Sequence, residues 1–138
     1  MEIKKVIYTA KVRTVGGREG SAKSDDEKLD IKLTPPGLNG QGTNPEQLFA
    51  AGWSACYIGA LGLAAKKLGI VLPKETYVDA EVDLGTSEEA FLLQARLFVA
   101  LPGINNDTAE QIMQIAHETC PYSKATRSNI PVSLTLIQ

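Results

Sequence analysis

Two cysteines are the residues of this chain whose types are best suited to chemistry, and the sequence contains no third. Cys56 lies inside the apolar run Leu48–Leu68, and Cys120 stands directly before Pro121. A free cysteine is often only a small buried hydrophobe, so inert packing is one interpretation of either residue. The second cysteine, placed at the end of a predicted helix, makes a redox pair the other interpretation.

A reactive cysteine needs a cation, because the thiolate is the nucleophile and a free thiol has a pKa of about 8.5. Arg18 is the best candidate, since it lies in a glycine-rich turn where the backbone can approach another element. Glu46 could hold that arginine through bidentate hydrogen bonds. Plainer explanations stay open for both: a solvated arginine in a hairpin turn, and a glutamate that favours the helix dipole. Glu46 and Cys56 are ten positions apart, about 15 Å on a straight helix, so one arginine contacts both only if the helix bends, for example at Gly52.

Three aromatic residues, Phe49, Trp53 and Tyr57, recur at helical spacing beside Cys56. They predict either core or dimer-interface packing, or an apolar wall that admits hydrophobic substrates to the thiol. The two interpretations are compatible, because one face of a side chain can pack while another lines a pocket.

His117 precedes Cys120 by three positions, which raises the question of a zinc site that includes Cys56 and Glu46. Zinc ligands normally come in closely spaced cysteine and histidine pairs, and this set has only one such pair. A partly exposed histidine near a helix C-terminus is the better interpretation. We therefore expect no metal and no cofactor.

Length and composition predict a single soluble domain over residues 1–138. The net charge of −2 leaves no basic footprint for nucleic acid. The N-terminus lacks the apolar core of a signal peptide, and the long apolar run is interrupted by glycines and by Lys66 and Lys67. That run predicts a core helix and no membrane span. The expected compartment is the cytoplasm, where a cysteine pair is more often catalytic or metal-binding than structural.

The elements that must position these residues begin with a small antiparallel meander. Alternation of apolar and polar residues predicts its strands around Tyr8–Val12, on the return over Arg18–Lys23, and around Leu29–Leu33.

A long helix follows, with Asn44 as N-cap, Pro45 in the first position and an end near Gly69. This helix is apolar on most sides, which indicates burial on more than one face and favours a dimer that surrounds it.

Two strands around Val78–Leu84 and Leu93–Leu101 come next, and then a second helix that begins at Asp107 with a capping-box pattern. Pro121 ends that helix and biases Cys120 toward an extended backbone. A last strand spans Val132–Leu136. The order predicts an α+β fold with the helices packed on one face of a mostly antiparallel sheet.

Taken together, these residues resemble a known family. The run from Gly42 to Cys56 (GTNPEQLFAAGWSAC) is similar to the signature of the Ohr/OsmC proteins, and so is the run from Cys120 to Arg127 (CPYSKATR). Gly17–Gly20 (GREG) resembles the arginine turn of that family. The resemblance covers nearly the whole chain in the same order, and the organic hydroperoxide resistance (Ohr) branch is the nearer match.

The resemblance implies a thiol-dependent peroxidase that reduces organic hydroperoxides, including those of fatty acids, to alcohols. It makes Cys56 the peroxidatic thiol and Cys120 the resolving thiol, with Arg18 activating Cys56 and Glu46 orienting Arg18. Trp53 stands where many relatives carry tyrosine, a departure that concerns pocket shape.

The resemblance also implies the fold and the partners. The fold is an intertwined homodimer whose antiparallel sheets wrap long central helices. The reductant is a dithiol of the dihydrolipoamide type, often on a lipoylated protein. Nucleic acid and membrane are not expected as partners.

Alternatives to an Ohr-type peroxidase are an OsmC-branch peroxidase of broader substrate range, a non-catalytic module that binds an apolar ligand, and a metal-bound Cys/His protein. In the binding module the thiols are packing, but Arg18 and Glu46 would then have no purpose.

Overall fold

The structure, a computed structural model, describes residues 1–137 and divides into two compact units, Met1–Pro45 and Glu46–Gln138. Residues 1–137 contain both α-helices and β-strands, which agrees with the predicted α+β class. The strands form two separate three-stranded sheets. The expectation of a single domain over 1–138 and that of an intertwined homodimer stay predictions.

The first unit is the antiparallel meander that the sequence predicts. Its strands are β1 (Val12–Val15), β2 (Ser21–Ser24) and β3 (Asp30–Lys32), in that order across the sheet. A 3-10 helix, Gly17–Glu19, joins β1 to β2. Gly16 and Gly17 have φ of 76° and 57°, a left-handed conformation that glycine adopts without strain.

The prediction of a strand from Tyr8 is wrong, because β1 begins only at Val12. The register explains the difference: β2 ends at Ser24, opposite Val12, and the chain turns there. Tyr8 and Ala10 therefore have no neighbouring strand in this sheet, and they lie exposed.

The long helix α1, Pro45–Lys67, has the predicted start, and all of it after Pro45 belongs to the second unit. The helix stops two residues before Gly69, whose φ of 72° is the left-handed conformation typical of a helix end. The amide of Ile70 donates back to the carbonyl of Ala65 at 2.9 Å and closes this end.

A second sheet consists of β4 (Tyr77–Ser87), β5 (Ala90–Ala100) and β6 (Val132–Leu136), in that order. β4 and β5 are antiparallel, but β6 runs parallel to β5. The prediction of mostly antiparallel pairing is confirmed, and β6, to which the sequence analysis assigned no direction, is the parallel exception. The chain crosses over through helices after β5, and a crossover of this kind returns a strand parallel to the one it left.

Two helices form that crossover, α2 (Asn106–Thr119) and α3 (Pro121–Thr126). The N-cap of α2 is Asn105, whose side chain accepts from the amide of Thr108 at 2.9 Å. The predicted start at Asp107 is therefore wrong by one residue, since Asn106 is the first helical residue. The sequence analysis did not predict α3.

The core of the second unit draws on α1, α2 and β5 together. Apolar side chains from all three are fully buried in one cluster, among them Leu61, Leu97 and Ile112. α1 lies along this core and carries Cys56, and the junction of α2 and α3 carries Cys120.

Candidate active site

The two sulfurs meet at this core. The Cys120 thiol donates to the Cys56 sulfur, with an Sγ–Sγ distance of 3.7 Å, although 64 residues separate the two cysteines. Both are free thiols; Cys56 is half-buried and Cys120 fully buried. A disulfide has a bond of about 2.05 Å, so an approach of less than 2 Å would join them.

Cys120 reaches this position because it belongs to neither helix. Its backbone is extended, with φ −60° and ψ 125°, as the following proline predicts. It is at once the C-cap of α2 and the N-cap of α3. Its amide donates to Ala116 at 2.8 Å, and its carbonyl accepts from Lys124 at 2.9 Å. The backbone is thus fixed on both sides of the corner that presents the sulfur to α1.

The surroundings of Cys56 raise the pKa of its thiol. Burial is the largest cause, and the hydrogen bond and the charge of Cys120 raise it further. A backbone hydrogen bond from Tyr122 acts in the opposite direction, because an amide N–H stabilises a thiolate. Among these four contributions, the Tyr122 amide alone favours the ionised sulfur.

Aromatic residues adjoin both cysteines in the sequence, and three of their rings form one cluster. Phe49 contacts Trp53 edge-to-face, with ring centroids 5.6 Å apart, and it contacts Tyr122 at 6.4 Å. Trp53 and Tyr57 are fully buried, whereas Phe49 is half-buried and Tyr122 is 40% exposed. The three predicted substrate contacts stay predictions, and of these only Phe49 has surface open to solvent in this chain.

The two buried aromatic residues also tie α1 to the crossover helices. The Trp53 indole Nε1 donates to the Ser123 Oγ at 3.3 Å, and the Tyr57 hydroxyl donates to the Met113 carbonyl at 2.9 Å. Burial raises the pKa of Tyr57 strongly, with smaller contributions from Cys120 and Glu110. Tyr57 therefore stays protonated and acts as a donor.

Sequence reasoning missed Tyr122, whose amide donates to the Cys56 sulfur, and Ser123, which accepts from Trp53. The Tyr122 ring lies over Gly52 of α1: a Cβ at that glycine would come within 3.1 Å of the tyrosine hydroxyl. The sequence offered one indication, since Tyr122 and Ser123 both lie in the run from Cys120 to Arg127 that resembles the family signature.

Arg18 and Glu46 belong to different units. Arg18 lies on the 3-10 helix of the first unit, exposed, and Glu46 lies in the first turn of α1, half-buried. Their predicted roles, activation of Cys56 and orientation of the arginine, stay predictions.

His117 lies three residues before Cys120 on α2, half-buried. Its Nδ1 is buried and has no hydrogen-bond partner. Burial lowers the pKa of this histidine, Arg127 lowers it further, and Glu118 partly opposes them. Among residues 1–137, no group of three or more His, Cys, Asp or Glu side chains comes together in a way that could hold a metal.

α1 is long and apolar enough, by length and composition alone, to span a bilayer. One such helix is weak support for a membrane protein, because the core helix of a soluble protein passes the same test. Trp53, Tyr57 and Leu61 of this helix are fully buried in the core, which favours the core-helix interpretation.

Known proteins resemble this chain in sequence and in fold. A model of the family described as "OsmC-like protein" matches residues 38–135. Among curated relatives, the organic hydroperoxide resistance protein of Xanthomonas axonopodis pv. citri is 46% identical over 136 residues, covering 96% of each chain. OhrB of Bacillus subtilis, also named an organic hydroperoxide resistance protein, is 41% identical over 133 residues, covering 94% of this chain and 98% of its own. The chain therefore belongs to the Ohr/OsmC family.

A solved structure extends the likeness to three dimensions. The crystal structure of OhrB of Bacillus subtilis superimposes with a TM-score of 0.91 at 40% identity, over 96% of this chain and 100% of that one.

Proposed function

We propose that this chain is a thiol-dependent peroxidase that reduces organic hydroperoxides, including those of fatty acids, to alcohols. The observation that carries the proposal is the 3.7 Å distance between the sulfurs of Cys56 and Cys120. The names of the relatives, organic hydroperoxide resistance proteins, support the same substrate class.

The reaction proceeds in two steps on the protein. The Cys56 thiolate attacks the distal oxygen of the hydroperoxide, the O–O bond breaks, and the departing alkoxide takes a proton and leaves as the alcohol. Cys56 is now a sulfenic acid. The Cys120 sulfur then attacks the Cys56 sulfur, the S–O bond breaks, and the hydroxyl leaves as water with the Cys120 proton, which gives the Cys56–Cys120 disulfide.

The first step requires a thiolate, and the immediate surroundings of Cys56 do not lower the pKa of its thiol. Burial and Cys120 both raise the pKa of its thiol, so at neutral pH the thiol form dominates. Arg18 supplies the positive charge in our proposal, because a guanidinium stays charged at any working pH. It stabilises both the thiolate and the charge that develops on the departing oxygen. Glu46 orients Arg18 by bidentate hydrogen bonds.

The aromatic residues near the two cysteines in the sequence support an apolar substrate. Phe49 and Tyr122 offer partly exposed rings, Phe49 packs against the buried Trp53, and Tyr57 is fully buried. Such a wall binds the organic part of an alkyl or aryl hydroperoxide through the hydrophobic effect, and it offers little to hydrogen peroxide.

Substitution of each cysteine tests the mechanism. On addition of cumene hydroperoxide, the unsubstituted protein should lose both free thiols to an intramolecular disulfide, as measured by thiol titration and mass spectrometry. Cys120→Ser should react once and stop at the Cys56 sulfenic acid, and Cys56→Ser should not react. Full peroxidase activity in Cys56→Ser would refute the proposal.

The substrate class has its own test. Rate constants for cumene hydroperoxide and for hydrogen peroxide are compared on the same protein preparation. We expect the organic hydroperoxide to react much faster. Comparable rates would favour the broader substrate range of the OsmC branch.

The disulfide must be reduced again by a partner. We propose a dithiol of the dihydrolipoamide type, free or on a lipoylated protein, in the cytoplasm. Both thiols belong to one molecule, so reduction of the Cys56–Cys120 disulfide oxidises the dithiol to a cyclic disulfide and needs no second reductant molecule. Dihydrolipoamide should sustain multiple turnovers with cumene hydroperoxide, whereas failure with it and success with glutathione would contradict this part.

We also propose a homodimer. Apolar side chains before β1 are left in water by this single chain: Ile3 is 80% exposed and Ile7 is 94% exposed. On α1, Leu63 is 65% exposed although the helix is apolar on nearly all sides. A second copy that covers these surfaces would remove them from water. Light scattering should give about twice the chain mass of 14.8 kDa, and the mass of one chain would contradict the proposal.

A non-catalytic binding module is the second candidate, and the raised pKa of the Cys56 thiol favours it, since such a thiol is typical of packing. Under this alternative, both thiols would titrate unchanged after hydroperoxide treatment.

A further inference from the structure

A second polar bridge joins the same elements as the two sulfurs. Trp53 lies three residues before Cys56 on α1, and Ser123 lies three residues after Cys120 in α3. The indole Nε1 of Trp53 donates to the Ser123 hydroxyl at 3.3 Å, and both side chains are fully buried.

We propose that the Trp53–Ser123 hydrogen bond is a positioning contact for the resolving step: it holds α3 against α1, so that the Cys120 sulfur stays within reach of Cys56 after Cys56 is oxidised. This inference rests on the proposed peroxidase function. It assigns to Trp53 and Ser123 a role in the second step that is separate from the attack on the hydroperoxide.

The Trp53–Ser123 bond can position Cys120 because Ser123 lies in α3, after the corner at Cys120. The corner at Cys120 interrupts the helical ladder, because Pro121 has no backbone N–H to donate. The Tyr57 hydroxyl bonds to Met113, which lies before the corner on α2. Beyond the corner, the Tyr122 amide donates to the Cys56 sulfur, and the Trp53–Ser123 bond is a second hydrogen bond that links α1 to α3.

The chemistry of the second step makes that link matter. Oxidation adds an oxygen to the Cys56 sulfur, at a site where the Cys120 sulfur already lies 3.7 Å away. Resolution then needs the Cys120 sulfur in line with the breaking S–O bond, and small misplacements of reacting atoms cost large factors in rate.

A delay in this step has a chemical consequence. A sulfenic acid that is not resolved can be oxidised by further hydroperoxide to the sulfinic acid, which does not return to the thiol under ordinary conditions. The bridge therefore protects Cys56 by keeping the sulfenic acid short-lived.

Ser123→Ala is the direct test, because it removes the acceptor and leaves the sulfurs and the aromatic rings in place. The matched control is Ser54→Ala, since the Ser54 hydroxyl donates to the Ala50 and Ala51 carbonyls within α1 itself. The two steps are followed separately with cumene hydroperoxide: sulfenic acid by rapid quenching into dimedone with mass spectrometry, and disulfide by thiol titration over time.

We expect Ser123→Ala to form the sulfenic acid at the wild-type rate, within about twofold. Disulfide formation should slow by roughly five- to thirtyfold, the factor that accompanies the loss of one buried hydrogen bond. Sulfinic acid should appear at lower hydroperoxide concentrations. Ser54→Ala should behave as the wild type in both steps.

Trp53→Phe provides the second variant, because it removes the donor of the same bond. Its effect on the rate of disulfide formation should not add to that of Ser123→Ala in the double variant, since both remove one contact. Circular dichroism at the assay temperature establishes that each variant is folded. If Ser123→Ala is not, Trp53→Phe decides through the conversion of preformed sulfenic acid to disulfide alone, because Trp53 also belongs to the proposed substrate wall.

Wild-type resolution in a folded Ser123→Ala protein would overturn the inference. Equal slowing of both steps would also overturn it, because that is the result of a general structural defect. If the wild-type protein itself forms neither sulfenic acid nor disulfide, the proposed function has failed, and that result is distinct from either of these.

Discussion

The buried hydroxyl of Tyr57 provides a quantitative test of how α1 is joined to α2. This hydroxyl donates to the Met113 carbonyl at 2.9 Å, and the residue is fully buried. Tyr57→Phe removes one oxygen atom and keeps the ring. Because Met113 lies within α2, its carbonyl also belongs to the helix ladder and keeps a partner.

At neutral pH, the loss of stability in Tyr57→Phe follows from the hydrogen bond alone. A net contribution of about 1 kcal/mol is typical of one intramolecular hydrogen bond, so the free energy of unfolding should fall by that amount. Had the carbonyl been left without a partner, its desolvation cost would have made the loss larger.

The dependence on pH gives the prediction its sharpest form. Burial raises the pKa of Tyr57 in the folded protein, so this side chain contributes stability that is full below the ordinary tyrosine pKa of about 10. The contribution is lost as pH rises further, because Tyr57 ionises in the unfolded chain and not in the folded one. The loss approaches about 1.4 kcal/mol per pH unit, so the gap between wild type and Tyr57→Phe should close at about pH 10.6 and reverse above it.

Urea unfolding measures both effects, with the fluorescence of the single tryptophan, Trp53, as the signal. Protein concentration is held fixed and the thiols are kept reduced, because association and disulfides shift apparent stability. Tyr77→Phe is the matched control: Tyr77 is 48% exposed, and its change should stay below about 0.5 kcal/mol. A gap that stays constant from pH 7 to pH 11 would refute the reasoning about Tyr57.

Three further predictions concern other parts of the second unit. Leu61→Ala should lower the free energy of unfolding by about 2–5 kcal/mol in urea, because Leu61 is fully buried in the core. Asp83→Asn should lower stability at pH 7, where Arg96 binds the Asp83 carboxylate at 2.7 and 2.8 Å and holds its pKa well below the usual range. The deficit should shrink as pH falls below about 4 in the same unfolding assay, since the wild type loses this contribution as its carboxylate is protonated. Burial lowers the pKa of His117 in the folded protein, so as pH falls from 7 to 5 this histidine is protonated in the unfolded chain before it is protonated in the folded one, and stability is lost. His117→Gln should reduce that loss.

Local signals in the sequence predicted the elements that carry the site. Pro45 and Gly69 bracket α1 correctly, because the start and end of a helix depend on residues at its own termini. The extended backbone of Cys120 was likewise predicted, since proline restricts the residue directly before it. The meander and the two long strands follow from alternation within each strand.

Pairing between distant segments was predicted less well. Tyr8 has the alternation of a strand, but a strand also needs a neighbour, and β2 ends opposite Val12. The parallel pairing of β6 with β5 depends on the path of α2 and α3, and no residue within β6 encodes it. α3 itself was missed because Pro121 signals the end of one helix, although proline is equally suited to the first position of the next.

The closeness of the two sulfurs was expected from family resemblance, since a separation of 64 residues implies no distance. Ser123 lies in the run from Cys120 to Arg127 that carries this resemblance, but the run gives no role to it. Its importance comes from a buried hydrogen bond to Trp53, and the spacing of the two residues in the sequence gives no sign of it.

Burial of Cys56 has two opposed effects on the proposed reaction, and their balance explains why the site needs parts from outside α1. Removal from water disfavours the thiolate, and the nearby Cys120 disfavours it further, so the first step is slowed. The same packing places Cys120 where the oxidised sulfur forms, so the second step is accelerated. A cation can offset the first effect without disturbing the second, because it lowers the pKa of Cys56 and leaves the helix packing intact. Arg18 is proposed for the first of these tasks and the Trp53–Ser123 contact for the second, so their loss should slow different steps.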